Sequence, residues 1–184
     1  MITWAPLTWL TSIFAGNEWP TIEGGVDFIP GEVAVRLARA EIARGAGEFG
    51  GNNRGPDVDK YRGEAGKGKK GSWCASFQYW LESEARAEIG QGMPFPYTPG
   101  ARKLFRLAVK HGQLVKSDNI RVGDLVLWAR GPQGSWKAHI GRVSEVHQRG
   151  RWRYVAGNEG RYPAKVCEKW GHNRRRLIGF ARMP

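Results

Sequence analysis

Apolar residues alternate with charged ones along much of the chain, and the spacing of that alternation changes once. From Glu32 to Arg44, Val33, Leu37, Ala40 and Ile42 recur near helical spacing, and Gly45 and Gly47 follow as stops, which predicts a helix. A second is expected from Trp73 to Ile89, where Cys74, Phe77, Trp80, Leu81, Ala85 and Ile89 share one face and Gly90 ends the run. A third, basic helix is expected from Gly100 to His111, after Pro94, Pro96 and Pro99. Between the first two, Gly50 to Gly71 is dense in Gly, Asn and Lys and reads as loop, with a turn or two of helix around Val58 and Tyr61.

Beyond Gly112 the runs shorten and become rich in Val, Ile, Trp and Tyr between glycine-bearing turns. Asp124 to Ala129, His139 to His147, Arg151 to Ala156, Lys165 to Glu168 and Arg176 to Arg182 read as strands. His147 to Arg151 has the make-up of a hairpin connection, so at least part of the sheet is expected to be antiparallel. Helices followed by strands predict an α+β fold, with N-terminal helices packed on a mostly antiparallel sheet. The 184 residues suit one domain, expected over 31–184, preceded by an arm or linker over 1–30.

Composition narrows the classes. No apolar run approaches the ~18 residues of a membrane span. Met1 to Leu10 has no Lys or Arg ahead of its apolar part and is broken by Pro6, so no secretory signal is expected. Lys and Arg outnumber Asp and Glu by 29 to 17, a net charge of +12, which favours an anionic partner: nucleic acid, anionic lipid or the anionic polymers of a bacterial envelope. The Lys67 to Lys70 run reads as a solvated loop rather than a nucleic-acid patch. Two distant cysteines, Cys74 and Cys167, argue against a disulfide scaffold or a zinc site.

Cys74 opens the second helix, where the helix N-terminus lowers a thiol pKa and backbone N–H groups can face an oxyanion. Alone, it is better explained as a small buried hydrophobe. Of the four histidines His111, His139, His147 and His172, His139 is the best partner, because it begins a strand after a loop among small neighbours. A third group should orient the imidazole. Asn158 or Glu159, in Ala156-Gly157-Asn158-Glu159-Gly160 at the end of the next strand, can do so.

Together, these pieces resemble the CHAP group, the cysteine, histidine-dependent amidohydrolases/peptidases, a papain-like branch of peptidoglycan hydrolases related to the NlpC group. The resemblance covers roughly Glu32 to Met183. Its pieces are Gly51-Asn52-Asn53-Arg54-Gly55-Pro56, Trp73-Cys74-Ala75-Ser76-Phe77, Gly123-Asp124-Leu125-Val126-Leu127-Trp128, Ala138-His139-Ile140-Gly141-Arg142-Val143 and Gly157-Asn158. It implies Cys74 as nucleophile, His139 as general base and then acid, and Asn158 as orienting residue, with Glu159 its competitor. Papain's oxyanion glutamine, six residues before the cysteine, is replaced by Gly68, so the Cys74 amide is expected to carry more of that role, with Tyr61 a candidate helper. Some members of the group bind calcium through aspartates before the cysteine. Asp57-Val58-Asp59 offers too few oxygens, and Asp57 is read as a helix cap.

Trp136, just before His139, is the better candidate for contact with substrate; Trp73 beside Cys74 is a further one, although Trp73, Trp80 and Trp128 read first as core. No metal or cofactor is expected. The reading is a monomeric hydrolase that cuts amide bonds of bacterial peptidoglycan through a thioester and is held to the anionic wall by its charge. The resemblance further implies synthesis in the cytoplasm with release to the wall by another protein, as for a phage or prophage lysin, or association with a phage particle. Its rivals are a papain-like protease or amidase acting elsewhere, and a non-catalytic basic module binding nucleic acid or wall polymer.

Overall fold

The computed structural model describes residues 29–68, 70–171 and 176–184. The expected arm up to residue 28, Lys69 and His172 lie outside the described residues. The chain forms α1 (Pro30–Ala43), α2 (Pro56–Gly66), α3 (Cys74–Glu88) and α4 (Ala101–His111), followed by β1 (Gln113–Val115), β2 (Leu125–Ala129), β3 (Ala138–Val146), β4 (Trp152–Glu159), β5 (Lys165–Trp170) and β6 (Leu177–Arg182). The strands make one antiparallel sheet in the order β1-β6-β2-β3-β4-β5. The fold is α+β, helices first and strands after.

α1 begins two residues earlier than its apolar spacing suggests, because Pro30 occupies a first-turn position where no amide hydrogen is needed. α2 keeps helical geometry for about two turns before Gly63, whose φ of 54° is not helical, kinks it. It also opens on a proline, and it buries Val58 and Tyr61. Strand β1 had no signal in the sequence, since only one of its three residues is buried. Asp57 does not cap its own helix. Its carboxylate accepts from Gly47 N–H at 2.9 Å and from Arg44 at 2.6 Å, fastening the turn after α1 to α2.

Alternation along the strands sorts the core by face. Leu125, Leu127, Ile140, Val155, Val166 and Ala181 pack beneath the helices. Val126, Trp128, Val143, Tyr154, Ala156 and Phe180 form a third cluster on the opposite face.

Helix α3 is fixed to the sheet by charge as well as by packing. Glu82 lies between Arg86 and the fully buried Arg142 of β3, at 2.8 Å from each. Gln78 donates to the Val155 carbonyl at 3.1 Å, and Arg142 to that of Gly123 at 3.0 Å. Buried charges are tolerated when paired in this way. The network sets the height of α3, and hence of its first residue, against β3 and β4.

Candidate active site

Cys74 is the first residue of α3 and only 2% exposed. The first intrahelical bond here runs from Phe77 N–H to the Trp73 carbonyl, at 2.9 Å, so the Cys74 amide lies in the turn whose N–H groups have no helical acceptor. His139, on β3 and 3% exposed, stacks against Trp128 of β2, with ring centroids 6.0 Å apart.

The two sides of the imidazole differ. Nε2 lies 2.5 Å from Glu159 Oε1. A carboxylate accepts only, so Nε2 carries the hydrogen and Nδ1 is left as the proton acceptor. Nδ1 is buried with no hydrogen-bond partner in ordinary geometry, yet His139 and the Cys74 thiol act strongly on each other's protonation. Hydrogen bonds of a cysteine–histidine pair often align fully only when substrate is bound.

Burial pushes the Cys74 thiol up, but His139, the Ser72 hydroxyl and the Ile140 backbone together draw it down to about 7. Burial pushes His139 down, while Cys74 and Glu159 raise it above its ordinary value; the Arg130 guanidinium opposes them. Burial likewise raises Glu159, but His139 and Lys169 hold it at about 2, well below the carboxylate range. Lys169 of β5 reaches Glu159 Oε2 at 2.7 Å, and the Tyr154 hydroxyl donates to Oε1 at 3.3 Å. A thiolate beside an imidazolium, with a carboxylate behind it, can attack a carbonyl carbon and then protonate a leaving amine.

Asn158, which the resemblance set as orienting residue, does not touch His139. Its amide donates to Ser72 Oγ, and Ser72 Oγ lies 3.5 Å from Cys74 Sγ. Consecutive residues therefore reach the thiol from opposite sides. The cause is a bulge: β4 pairs Ala156 with Cys167 but Glu159 with Lys165, one residue out of step, and Asn158 adopts φ 59°. In an unbroken strand Asn158 would share the face of Tyr154 and Ala156, next to His139. The extra residue hands that place to Glu159. Gly157 permits the bend, since a Cβ there would come within 2.4 Å of the Trp73 ring.

The substrate-contact candidates separate. Trp73 is fully buried, stacked on Tyr61 at 5.5 Å, and donates from its indole nitrogen to Glu48 at 3.1 Å, so no ligand reaches its face. Tyr61 gives its hydroxyl to Glu41 within the core and is no oxyanion donor. Both corrections have one cause: large aromatic rings on helices bordering the site were needed to fill the core. Trp136 is 81% exposed in the loop before His139, and that loop is tied to α4 by Arg102, which donates to the Ser135 and Trp136 carbonyls. Ser72 and Lys169 were not foreseen. Pairing of Lys169 with Tyr154 marks it as facing the His139 side, a signal visible only once register is known.

Among the described residues, no helix is long and apolar enough to cross a membrane. The family described as the CHAP domain matches residues 66–158, half of the chain, a segment that holds Cys74, His139 and Asn158 and stops one residue short of Glu159. No curated relative matches the chain.

Proposed function

The chain belongs to the CHAP domain family and is thus a hydrolase of the amidase/peptidase type, and from that premise we propose that it cleaves amide bonds of bacterial peptidoglycan through a thioester on Cys74. The observation that carries the reading is the burial of His139 between the Cys74 thiol and the Glu159 carboxylate, with Nε2 committed to the carboxylate and Nδ1 left for the thiol.

In this mechanism Cys74 Sγ gives its proton to His139 Nδ1 and attacks the carbonyl carbon of the scissile amide. The tetrahedral oxyanion is met by the Cys74 amide at the start of α3, a fixed donor in a site from which water is largely excluded. As the C–N bond breaks, the Nδ1 proton passes to the leaving nitrogen, and the acyl group remains on sulfur. A water then attacks the thioester, giving its proton to Nδ1, and the C–S bond breaks to restore the thiolate. Glu159 keeps the imidazole in the required tautomer and stabilises its charged form. Ser72, accepting from Asn158, has its own hydrogen free to donate to the thiolate. The net charge of +12 favours retention on an anionic wall.

Zymography on purified peptidoglycan tests the proposal. Wild type is expected to clear it and Cys74→Ala to leave it intact, with new amino groups released only by wild type; equal clearing by both proteins removes Cys74 from the mechanism. Mass spectrometry of the released fragments identifies the bond.

A further inference from the structure

Beyond the imidazole, on the side away from the thiol, lies a cavity of about 280 Å³ lined by Trp128, Ala129, Arg130, Tyr154 and Arg176 together with His139 and Glu159. Its charges do not cancel internally. Glu159 is already committed, Oε1 to His139 and Tyr154 and Oε2 to Lys169. Arg176 touches the Gly131 carbonyl at 3.4 Å, and among the described residues neither Arg130 nor Arg176 has a carboxylate partner. Both converge by construction. Arg130 N–H bonds the Lys137 carbonyl at 2.9 Å, continuing the β2–β3 pairing one step past Ala129, so strand alternation puts Arg130 on the Trp128 and His139 face. Arg176 precedes Leu177, which pairs with Trp128.

We propose that this cavity is an anion subsite that takes a carboxylate of the substrate, selecting amides that carry a free carboxylate within a residue or two of the cut. The inference rests on Cys74 and His139 acting as nucleophile and acid, since the cavity adjoins that imidazole. Two guanidiniums over an aromatic wall provide planar donors matched to a carboxylate. The cavity has room for a carboxylate and a short side chain, given about 30 Å³ per water in the liquid. Arg130 also stands where its charge works against the imidazolium that catalysis requires. A bound carboxylate would cancel that opposition, so substrate completes the electrostatics of the site.

The test is calorimetric binding to Cys74→Ala protein, which retains the cavity and does not turn over. The probes are the stem-type peptide L-Ala-γ-D-Glu-L-Lys-D-Ala and the same peptide with both carboxylates amidated. The free-carboxylate peptide is expected to bind about tenfold tighter or better, equivalent to about 1.4 kcal/mol. Adding Arg130→Gln or Arg176→Gln should bring the ratio toward one, and Arg130→Lys should restore part of it. Equal binding of the two peptides, no binding of either at millimolar concentration, or a ratio insensitive to both arginine variants overturns the subsite. Cleavage by the otherwise wild-type protein is read separately. Cys74-dependent hydrolysis without carboxylate preference refutes the subsite alone, whereas arginine-dependent binding without any Cys74-dependent hydrolysis refutes the catalytic reading and leaves the cavity as an anion site.

Discussion

Two hydrogen-bond chains converge on the candidate centre, and neighbouring residues of one strand begin them. The Glu159 chain, with a half-exposed Lys169 behind it and His139 ahead, is buried at His139 and Glu159 and made of charges. The Asn158 chain, which passes through Ser72 to the sulfur, is more open to solvent at Ser72 and made of neutral groups. Buried charges interact through a poor dielectric and set protonation states, while exposed neutral dipoles are diluted by water and mainly set geometry. The first chain should therefore govern whether the thiolate–imidazolium pair exists, and the second how well it is aimed.

The comparison collapses entirely if the pair itself is removed. Cys74→Ala or His139→Ala should lower kcat/KM by roughly 10⁴-fold or more, checked by amino-group release from peptidoglycan. Glu159→Gln comes next, at about 10²- to 10⁴-fold, since an amide there can present either an oxygen or a nitrogen to Nε2 and no longer favours the imidazolium. Asn158→Ala should cost about tenfold, the worth of one hydrogen bond. A double-variant cycle sharpens the contrast: Ser72→Ala and Asn158→Ala should be strongly non-additive, because they interrupt the same chain. An Asn158→Ala loss as large as that of Glu159→Gln would erase the distinction between the chains.

The pH profile should separate the chains again, with smaller effects. In wild type, kcat/KM should rise with pH through about 7 as Cys74 ionises, then fall as His139, raised above its ordinary value, loses its proton. Loss of the Glu159 charge lowers the His139 pKa and, by weakening the imidazolium, raises that of Cys74, so Glu159→Gln should narrow the bell from both sides. Lys169→Met has the opposite sign. It leaves Glu159 less neutralised, favours the imidazolium and should widen the bell while changing peak activity by less than about threefold. Narrowing in both variants would mean that Lys169 acts through structure rather than charge.

Much of the architecture is legible in the sequence because it follows from periodicity: three helices at 3.6-residue spacing and five strands lie within a few residues of their expected places, most of the mismatches being explained by Pro30, Pro56 and the β4 bulge. Cys74 and His139 are legible for a related reason, since each lies at the start of its element. The third member is not. Period-two alternation carried past Ala156 chooses Asn158, and only the left-handed backbone there, a tertiary feature beside the Trp73 ring, moves Glu159 onto the His139 face. The roles of Trp73 and Tyr61 were hidden likewise, because an aromatic residue flanking a nucleophile carries no mark of whether it faces the cleft or the core.

For an electrophile rather than a substrate, the depth of Cys74 is a filter. Cys167 is the more accessible of the two thiols, but burial and the nearby Glu159 raise its pKa, so it stays protonated where Cys74 is partly ionised. Reactivity and accessibility thus rank the two sulfurs in opposite orders. A slim alkylating agent near neutral pH should modify Cys74 first, and a bulky maleimide Cys167, a reversal that mass spectrometry of the labelled peptides can detect. Covalent ligands for the site would need a narrow reactive tip to reach the buried Cys74 thiol, with their bulkier recognition elements carried farther out.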